Sequence, residues 1–331
     1  MRQQRWKGVV LGGVIGILAV WCGTAGAEEL AYRLKWLFNS SVVGDLYADT
    51  GGYFEAAGLD VEVKAGGPER DAIKELELGH AQFGVASADQ VIRAMAKGSP
   101  VAVIAQLFQI NPLQWIYRQS DPPVLRLEDL RGRTIGVTFG GNDETILRTL
   151  LAKGGLTERD VTLFSVRYDY TPFYRKQADF WPVYRNTQAI VIGRKMAQDG
   201  VPVQFLIPRD FGVKFVANSV VTSQQMAEER PELVRRFIQA LLKGWAAALD
   251  PVNDDPVLAM LQQFDKDTPP DQLQAQLAVT RKLVKPLGDA PIGTIDTEAW
   301  IQTEQIMLDQ NQIAEPVNVT SVLRPAFALN P

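Results

Sequence analysis

Residues 51–63 read Gly-Gly-Tyr-Phe-Glu-Ala-Ala-Gly-Leu-Asp-Val-Glu-Val. The segment holds a short aromatic-bearing helical turn, a glycine and an alternating tail. Gly58 supplies the positive φ at which helices end. Leu59, Val61 and Val63 then fall on one face with Asp60 and Glu62 opposite, the period-two signature of a strand with one buried side. A helix returning at once into a strand is the second half of a βαβ unit.

The same grammar extends in both directions. Upstream, Tyr32 to Phe38 is an expected strand, followed by Asn39-Ser40-Ser41 and a helix from Val42 to about Asp49. Downstream come a helix over 69–78, a strand over 82–86, a helix from Ala88 to Lys97 capped by Ser87, and a strand from Val101 to Phe108. Asp121-Pro122-Pro123 interrupts, and the pattern restarts. Strands are expected at Thr134 to Thr138, Val161 to Val166, Val201 to Ile207 and Val213 to Val221, with a helix from Asn142 to Lys153. Beyond Ser223 the chain is nearly all helix, and Val234, Phe237, Leu241, Leu242 and Trp245 lie at helical spacing. Alternating strands and helices imply an α/β protein whose mostly parallel sheets carry helices on both faces. Two lobes are expected, residues 28–118 plus 220–331 and residues 119–219, with crossovers near Tyr117 to Leu127 and Ala217 to Ser223.

The first 27 residues are expected to be a cleaved export signal: Arg2, Arg5 and Lys7 lead an uncharged run, and Ala25-Gly26-Ala27 offers small residues before the cut after Ala27. The apolar run of about 14 residues is shorter than the ~20 needed to span a bilayer. Cys22, the only cysteine, would leave with the signal, which excludes disulfides, a thiolate nucleophile and cysteine-ligated metal in the mature chain. Without Arg2, Arg5 and Lys7, the 34 basic residues become 31 against 38 acidic ones, a net charge of −7. Such a balance, with no basic cluster, excludes a nucleic-acid partner.

In open α/β sheets ligands lie beyond the carboxyl ends of the strands. That rule picks Asn39 and Ser40 after the first strand, Ser87 and Asp89 after the third, and Asn111 after the fourth. In the second half it picks Asn142 and Asp143, which follow Gly140-Gly141. Trp36 stands before the first loop, either as a pocket wall or as a core ring, and Trp181 and Tyr184 are the corresponding rings of the second half. Stacking on such rings would add about 0.5–1.5 kcal/mol to apolar burial. Asp143 and Glu144 sit in a first helical turn and already serve its dipole, which disfavours an anion there. His80 follows the helix-ending Gly79 and is read as a solvated side chain; no nucleophile–base pair can be assembled.

The order of motifs carries a resemblance. Trp36-x-x-Asn39, Gly52-Tyr53-Phe54-x-x-x-Gly58-Leu59-Asp60-Val61, Gly79-x-Ala81-x-Phe83-Gly84-Val85 and Gly98-x-Pro100-Val101 together resemble the periplasmic substrate-binding proteins of ABC importers. The branch is the one that binds thiamine pyrimidines, sulfonates and taurine. Leu130 to Val137 resembles that family's entry to its second lobe, and Asp179-Phe180-Trp181-Pro182-Val183-Tyr184 resembles the Asp-x-Trp-x-x-aromatic segment of sulfonate binders. Gln82 replaces the family's usual Asp, and Leu37-Phe38 replaces the Pro-containing gap of pyrimidine binders.

The resemblance implies a two-lobed type II periplasmic-binding-protein fold, hinge closure over a small molecule, membrane permease subunits as partners, a monomer, and neither metal nor cofactor. The expected ligand is a small planar nitrogen heterocycle of thiamine-pyrimidine type. The alternatives are a sulfonate or taurine binder, a ligand sensor docking on a signalling receptor, and a pyrimidine synthase-like enzyme.

Overall fold

The computed structural model describes residues 29–67, 70–139, 141–166, 169–286 and 290–329. The expected signal segment, its cut after Ala27, and Gly140 lie outside them. In chain order the strands are β1 Glu29–Arg33, β2 Asp60–Lys64, β3 Phe83–Ala86, β4 Val101–Gln106, β5 Leu113–Arg118, β6 Thr134–Val137, β7 Thr162–Ser165, β8 Trp181–Tyr184, β9 Val203–Leu206 and β10 Ser219–Ser223. The helices of the first half are α1 Val43–Thr50, α2 Tyr53–Ala56, α3 Ala72–Glu77, α4 Ala88–Met95, α5 Asn142–Lys153, α6 Thr171–Tyr174 and α7 Gln188–Gln198. The remainder are α8 Gln224–Glu229, α9 Pro231–Ala248, α10 Asp254–Phe264, α11 Pro270–Val284, α12 Thr297–Asp309 and α13 Ala326–Leu329.

The helix-to-strand return forms as its sequence demands. Gly58 has φ +67°, its N–H donates to Glu55 O, and Leu59 N–H reaches back to Phe54 O. These two bonds satisfy carbonyls at the end of α2, and Phe54 and Leu59 are both buried in the same core. β2 then pairs parallel to β1 from Glu29↔Asp60 to Arg33↔Lys64.

One sheet has the order β2-β1-β3-β10-β4, in which β10 runs antiparallel to both neighbours. It is covered on one face by an apolar core that includes α1, α9, α10 and α11, and on the other by one that includes α3, α4 and α12. A second group comprises the antiparallel set β8-β5-β9 and the parallel pair β6-β7, linked through the Ile135↔Phe180 bridge. α5 packs into the core on one side of this group and α7 into the core on the other. The fold is α/β with mixed sheets, and the antiparallel members are β10 and the β8-β5-β9 set.

Three expectations shift. The first strand ends at Arg33 and not Phe38, because the chain turns outward: Trp36 and Leu37 are exposed, and Trp36 O accepts from Gly66 N. Leu113–Arg118 is a strand the pattern did not announce, since Gln114 and Arg118 interrupt its apolar run although both are buried. Residues 213–218 form no ladder. Val216 N donates to Thr303 Oγ1 and Lys214 N to Gln302 Oε1, so only Ser219–Ser223 pairs as a strand. The chain therefore passes between the two sheet groups at residues 107–112, upstream of the first expected crossover, and at residues 213–218, overlapping the second.

Candidate functional site

The loop after β1 is built by its own polar side chains. Asn39 is extended, and its Oδ1 accepts from Ser41 N at 2.7 Å, starting a short 3-10 turn. Ser40 is fully buried and donates to Gln276 Oε1 on α11. Asn186, in the turn between β8 and α7, donates from Nδ2 to Ser41 Oγ at 3.0 Å and to Thr280 Oγ1 at 2.9 Å. Thr280 in turn donates to Gln276 O, one helical turn back.

Five side chains from three parts of the chain thus meet where the two sheet groups approach. All are buried: Asn186 and Thr280 have no solvent exposure, and Gln276 has 3%. None is charged. Arg194 of α7 pairs with Asp271 of α11 nearer the surface, so the same two helices are also joined by an ion pair.

The junction has unused hydrogen-bonding capacity. At the junction Asn186 Oδ1 is buried without a partner; elsewhere so are Asn142 Nδ2 and Thr145 Oγ1 on α5 and Asn218 Oδ1 on the second crossing. Asn142 and Thr145 lie three residues apart in the first turns of α5. Buried polar groups without partners are uncommon, and each such atom calls for an explanation.

The remaining expected site residues divide clearly. Asn39 and Ser40 belong to the junction. Asn142 stands at the start of α5, with its amide nitrogen buried and unbonded. Trp36 is 37% exposed, which removes the core reading. Tyr184 is half-buried at the end of β8, opposite Leu113.

The others are occupied by structural tasks. Ser87 Oγ donates to Asp89 Oδ1, its N–H donates to Gln90 Oε1, and Asp89 is ion-paired to Arg93, so both serve the start of α4. Asn111 braces the crossings: Nδ2 donates to Phe215 O and Oδ1 accepts from Leu113 N, each at 2.8 Å. Asp143 Oδ2 accepts from Thr138 N at 2.6 Å and folds the loop after β6 back on itself. A Cβ on Gly141 would lie 2.4 Å from Asp143 Oδ1 and 2.9 Å from Thr138 O, so only glycine fits that turn. Burial pushes the Asp143 carboxyl up to about 6, against the lowering effect of its bond from Thr138.

Trp181 is a correction. It is 1% exposed and packs against Phe164 and Phe173 at 5.8 and 6.3 Å, so neither ring face is free to stack on a ligand. An exposed ring of the second half is Phe139, 55% exposed in the loop after β6. Its place at a strand end before a Gly-Gly turn was the available signal. Asn186 was missed because β8 was not recognised as a strand. Gln276 and Thr280 were missed because they lie far along the chain, yet they are polar interruptions of the apolar stripe Leu273, Leu277, Leu283 and Val284.

The junction offers amide and hydroxyl donors and acceptors in a dry, uncharged setting. These five side chains include no nucleophile poised against a base.

Residues 39–253 match the family described as NMT1/THI5 like, and the chain belongs to that family. The chain is 26% identical to the riboflavin-binding protein RibY of Chloroflexus aurantiacus over 91% of its own length and 86% of that protein. It is 24% identical to the formylaminopyrimidine-binding protein of Halalkalibacterium halodurans over 88% of each. A yeast (Saccharomyces cerevisiae) 4-amino-5-hydroxymethyl-2-methylpyrimidine phosphate synthase, THI11, is 22% identical over 72% of this chain and 71% of its own. Among solved structures, the alkanesulfonate-binding protein SsuA of Xanthomonas axonopodis pv. citri superposes with a TM-score of 0.66 at 17% identity, covering 91% of this chain and 99% of that one. The fold is that of the periplasmic binding proteins.

Proposed function

We propose that this chain is the exported solute-binding component of an ABC importer, and that it captures a small planar nitrogen heterocycle of thiamine-pyrimidine type between two lobes that close by hinge motion. The observation that carries the reading is the buried, uncharged junction of Ser40, Ser41, Asn186, Gln276 and Thr280. A ring nitrogen beside an amino or carbonyl group matches amide and hydroxyl partners. A sulfonate would call for a cation or free helix N–H groups, and Asp143 already occupies the first turn of α5.

Two relatives support the class, since their names specify riboflavin and formylaminopyrimidine, both nitrogen heterocycles. Strand membership supports lobes that exchange the chain at residues 107–112 and 213–218. Asn186 contacts Ser41 and Thr280 across this division, so the same contacts favour the closed form. Trp36 and Phe139 are the rings available for stacking. Binding is favoured over synthase chemistry because His80, the only histidine, is exposed at a helix end. Among the described residues no helix is long and apolar enough to cross a membrane. Delivery to separate permease subunits fits that, and the chain acts as a monomer.

The test is a thermal-shift screen of the chain from Glu28 onward with formylaminopyrimidine, riboflavin, alkanesulfonates and taurine. A ligand at 100 times its Kd stabilises the native state by about 2.7 kcal/mol. A raised Tm with a heterocycle and none with the sulfonates is expected; the reverse pattern would overturn the ligand class.

A further inference from the structure

Gln114 is the most anomalous buried side chain in the molecule. It has no solvent exposure, and neither its Nε2 nor its Oε1 meets a hydrogen-bond partner. An apolar residue of similar size would avoid that desolvation cost. Its neighbours on the strand take apolar roles: Leu113 and Trp115 face one core and Ile116 the other.

Its position points to a use. Gln114 is the first residue of β5 beyond the crossing that faces the α7 side. It sits opposite Val183, three residues before Asn186 on the neighbouring segment. Pro112 O accepts from Arg185 N at 2.8 Å, which ties that end of β5 to the turn carrying Asn186. Asn186 Oδ1 is itself unpartnered and buried. The end of the β5–β8 pair nearest the junction therefore carries two amide groups with free capacity, one with a free acceptor and the other with both a donor and an acceptor.

We propose that Gln114 is a specificity-determining residue: its primary amide pairs with a donor–acceptor edge of the bound heterocycle. This rests on the reading of the chain as a heterocycle-binding protein. A ring nitrogen beside an exocyclic amine, as in an aminopyrimidine, or an N–H beside a carbonyl, as in a flavin, would each form two hydrogen bonds with one carboxamide, one accepted from its NH2 and one donated to its C=O. A site built to bond such an edge rejects analogues that lack it, because the buried amide is then left unpaired.

The experiment combines two readouts on Gln114→Leu, with Gln114→Met as a second variant of closer shape. The Tm of each free variant is measured, followed by calorimetric titration with formylaminopyrimidine, riboflavin and 2-methylpyrimidine, which has no amino group. The free variants are expected to be as stable as the wild type or more so, since an unpaired buried amide has been removed. Affinity for the heterocycle that binds is expected to fall at least 30-fold, and discrimination against 2-methylpyrimidine to collapse. Which of the two natural-type heterocycles loses affinity identifies the edge that is recognised. Affinity within twofold of wild type in both variants would overturn the inference and leave the heterocycle reading standing. A wild-type protein that binds none of the three would overturn that reading and this inference with it.

Discussion

The two sheet groups differ in how fully their buried polar groups are paired. Around the five-stranded sheet most such groups are paired, Ser99 Oγ and Asn218 Oδ1 being exceptions among the described residues. Asp45 accepts from Tyr32 Oη at 2.7 Å and from Trp245 Nε1 at 3.1 Å. Gln106 donates to Phe108 O, and its Oε1 accepts from Asp296 N and Trp300 Nε1. Arg33 bonds Glu75 and Ala65 O. In the region from β5 to α7, Gln114, Thr145 and Asn186 Oδ1 are equally buried and unpaired. A satisfied interior is a scaffold, because pairing offsets desolvation. An unsatisfied one costs stability until something else supplies the partners, as expected where a ligand is recognised.

Substitutions should therefore differ in sign between the two regions. The largest effect is expected for Trp245→Ala, which empties a fully buried ring site and takes a donor from Asp45. A loss of about 4–5 kcal/mol in chemical denaturation is expected. A loss below about 2 kcal/mol would show that the scaffold is less tightly packed than its burial implies.

The next effect is on pH. Burial, opposed by the bonds from Tyr32 and Trp245, pushes the Asp45 carboxyl up to about 7. Its folded pKa exceeds the unfolded value, so the native state holds the extra proton. The resulting stability is complete below about pH 4 and is lost as pH rises through about 7. A shift of this size corresponds to roughly 4 kcal/mol at most, and Asp45→Asn should flatten the slope of stability against pH across that window. Asp143 adds a smaller slope of the same sign, ending near pH 6. An unchanged slope in Asp45→Asn would place the titration elsewhere.

The paired substitutions come last in size. Gln106→Leu leaves Trp300 Nε1, Asp296 N and Phe108 O without their partner and is expected to cost about 2–3 kcal/mol. Thr145→Val removes only a hydroxyl that has no partner and should be neutral or stabilising by up to about 1 kcal/mol. Equal losses at the two positions, measured by urea denaturation, would erase the contrast.

Much of this architecture was legible in the chain. Helix-to-strand returns at glycine, as at Gly58, depend on local backbone physics and formed as expected. The first crossing lies upstream of its expected place because β5 carries Gln114 and Arg118 inward, and hydrophobic periodicity cannot register a buried polar residue. The strand-end rule picked Asn39, Ser40 and Asn142 from topology alone, and the structure places Asn39 and Ser40 at the junction and Asn142 at the start of α5. It also picked Asn111, Asp143, Ser87 and Asp89, whose side chains bond to nearby turns, helix starts and crossings. Trp181 could not be placed from sequence, since a ring in a short strand looks the same whether it meets a ligand or a core. Gln276 and Thr280 reach the site from 236 and 240 residues beyond their shared partner Ser40, a proximity no local pattern encodes.

The measurement that bears most directly on the central claim is calorimetric titration of the wild type and Asn186→Leu with formylaminopyrimidine, riboflavin and an alkanesulfonate. Asn186 links the two sheet groups through Ser41 and Thr280, and its carbonyl is free. The account predicts that the wild type binds a heterocycle and not the sulfonate, and that Asn186→Leu weakens heterocycle binding by about 10- to 100-fold, or roughly 1.4–2.8 kcal/mol. Tight sulfonate binding with no heat from either heterocycle, or heterocycle binding indifferent to Asn186→Leu, would contradict it.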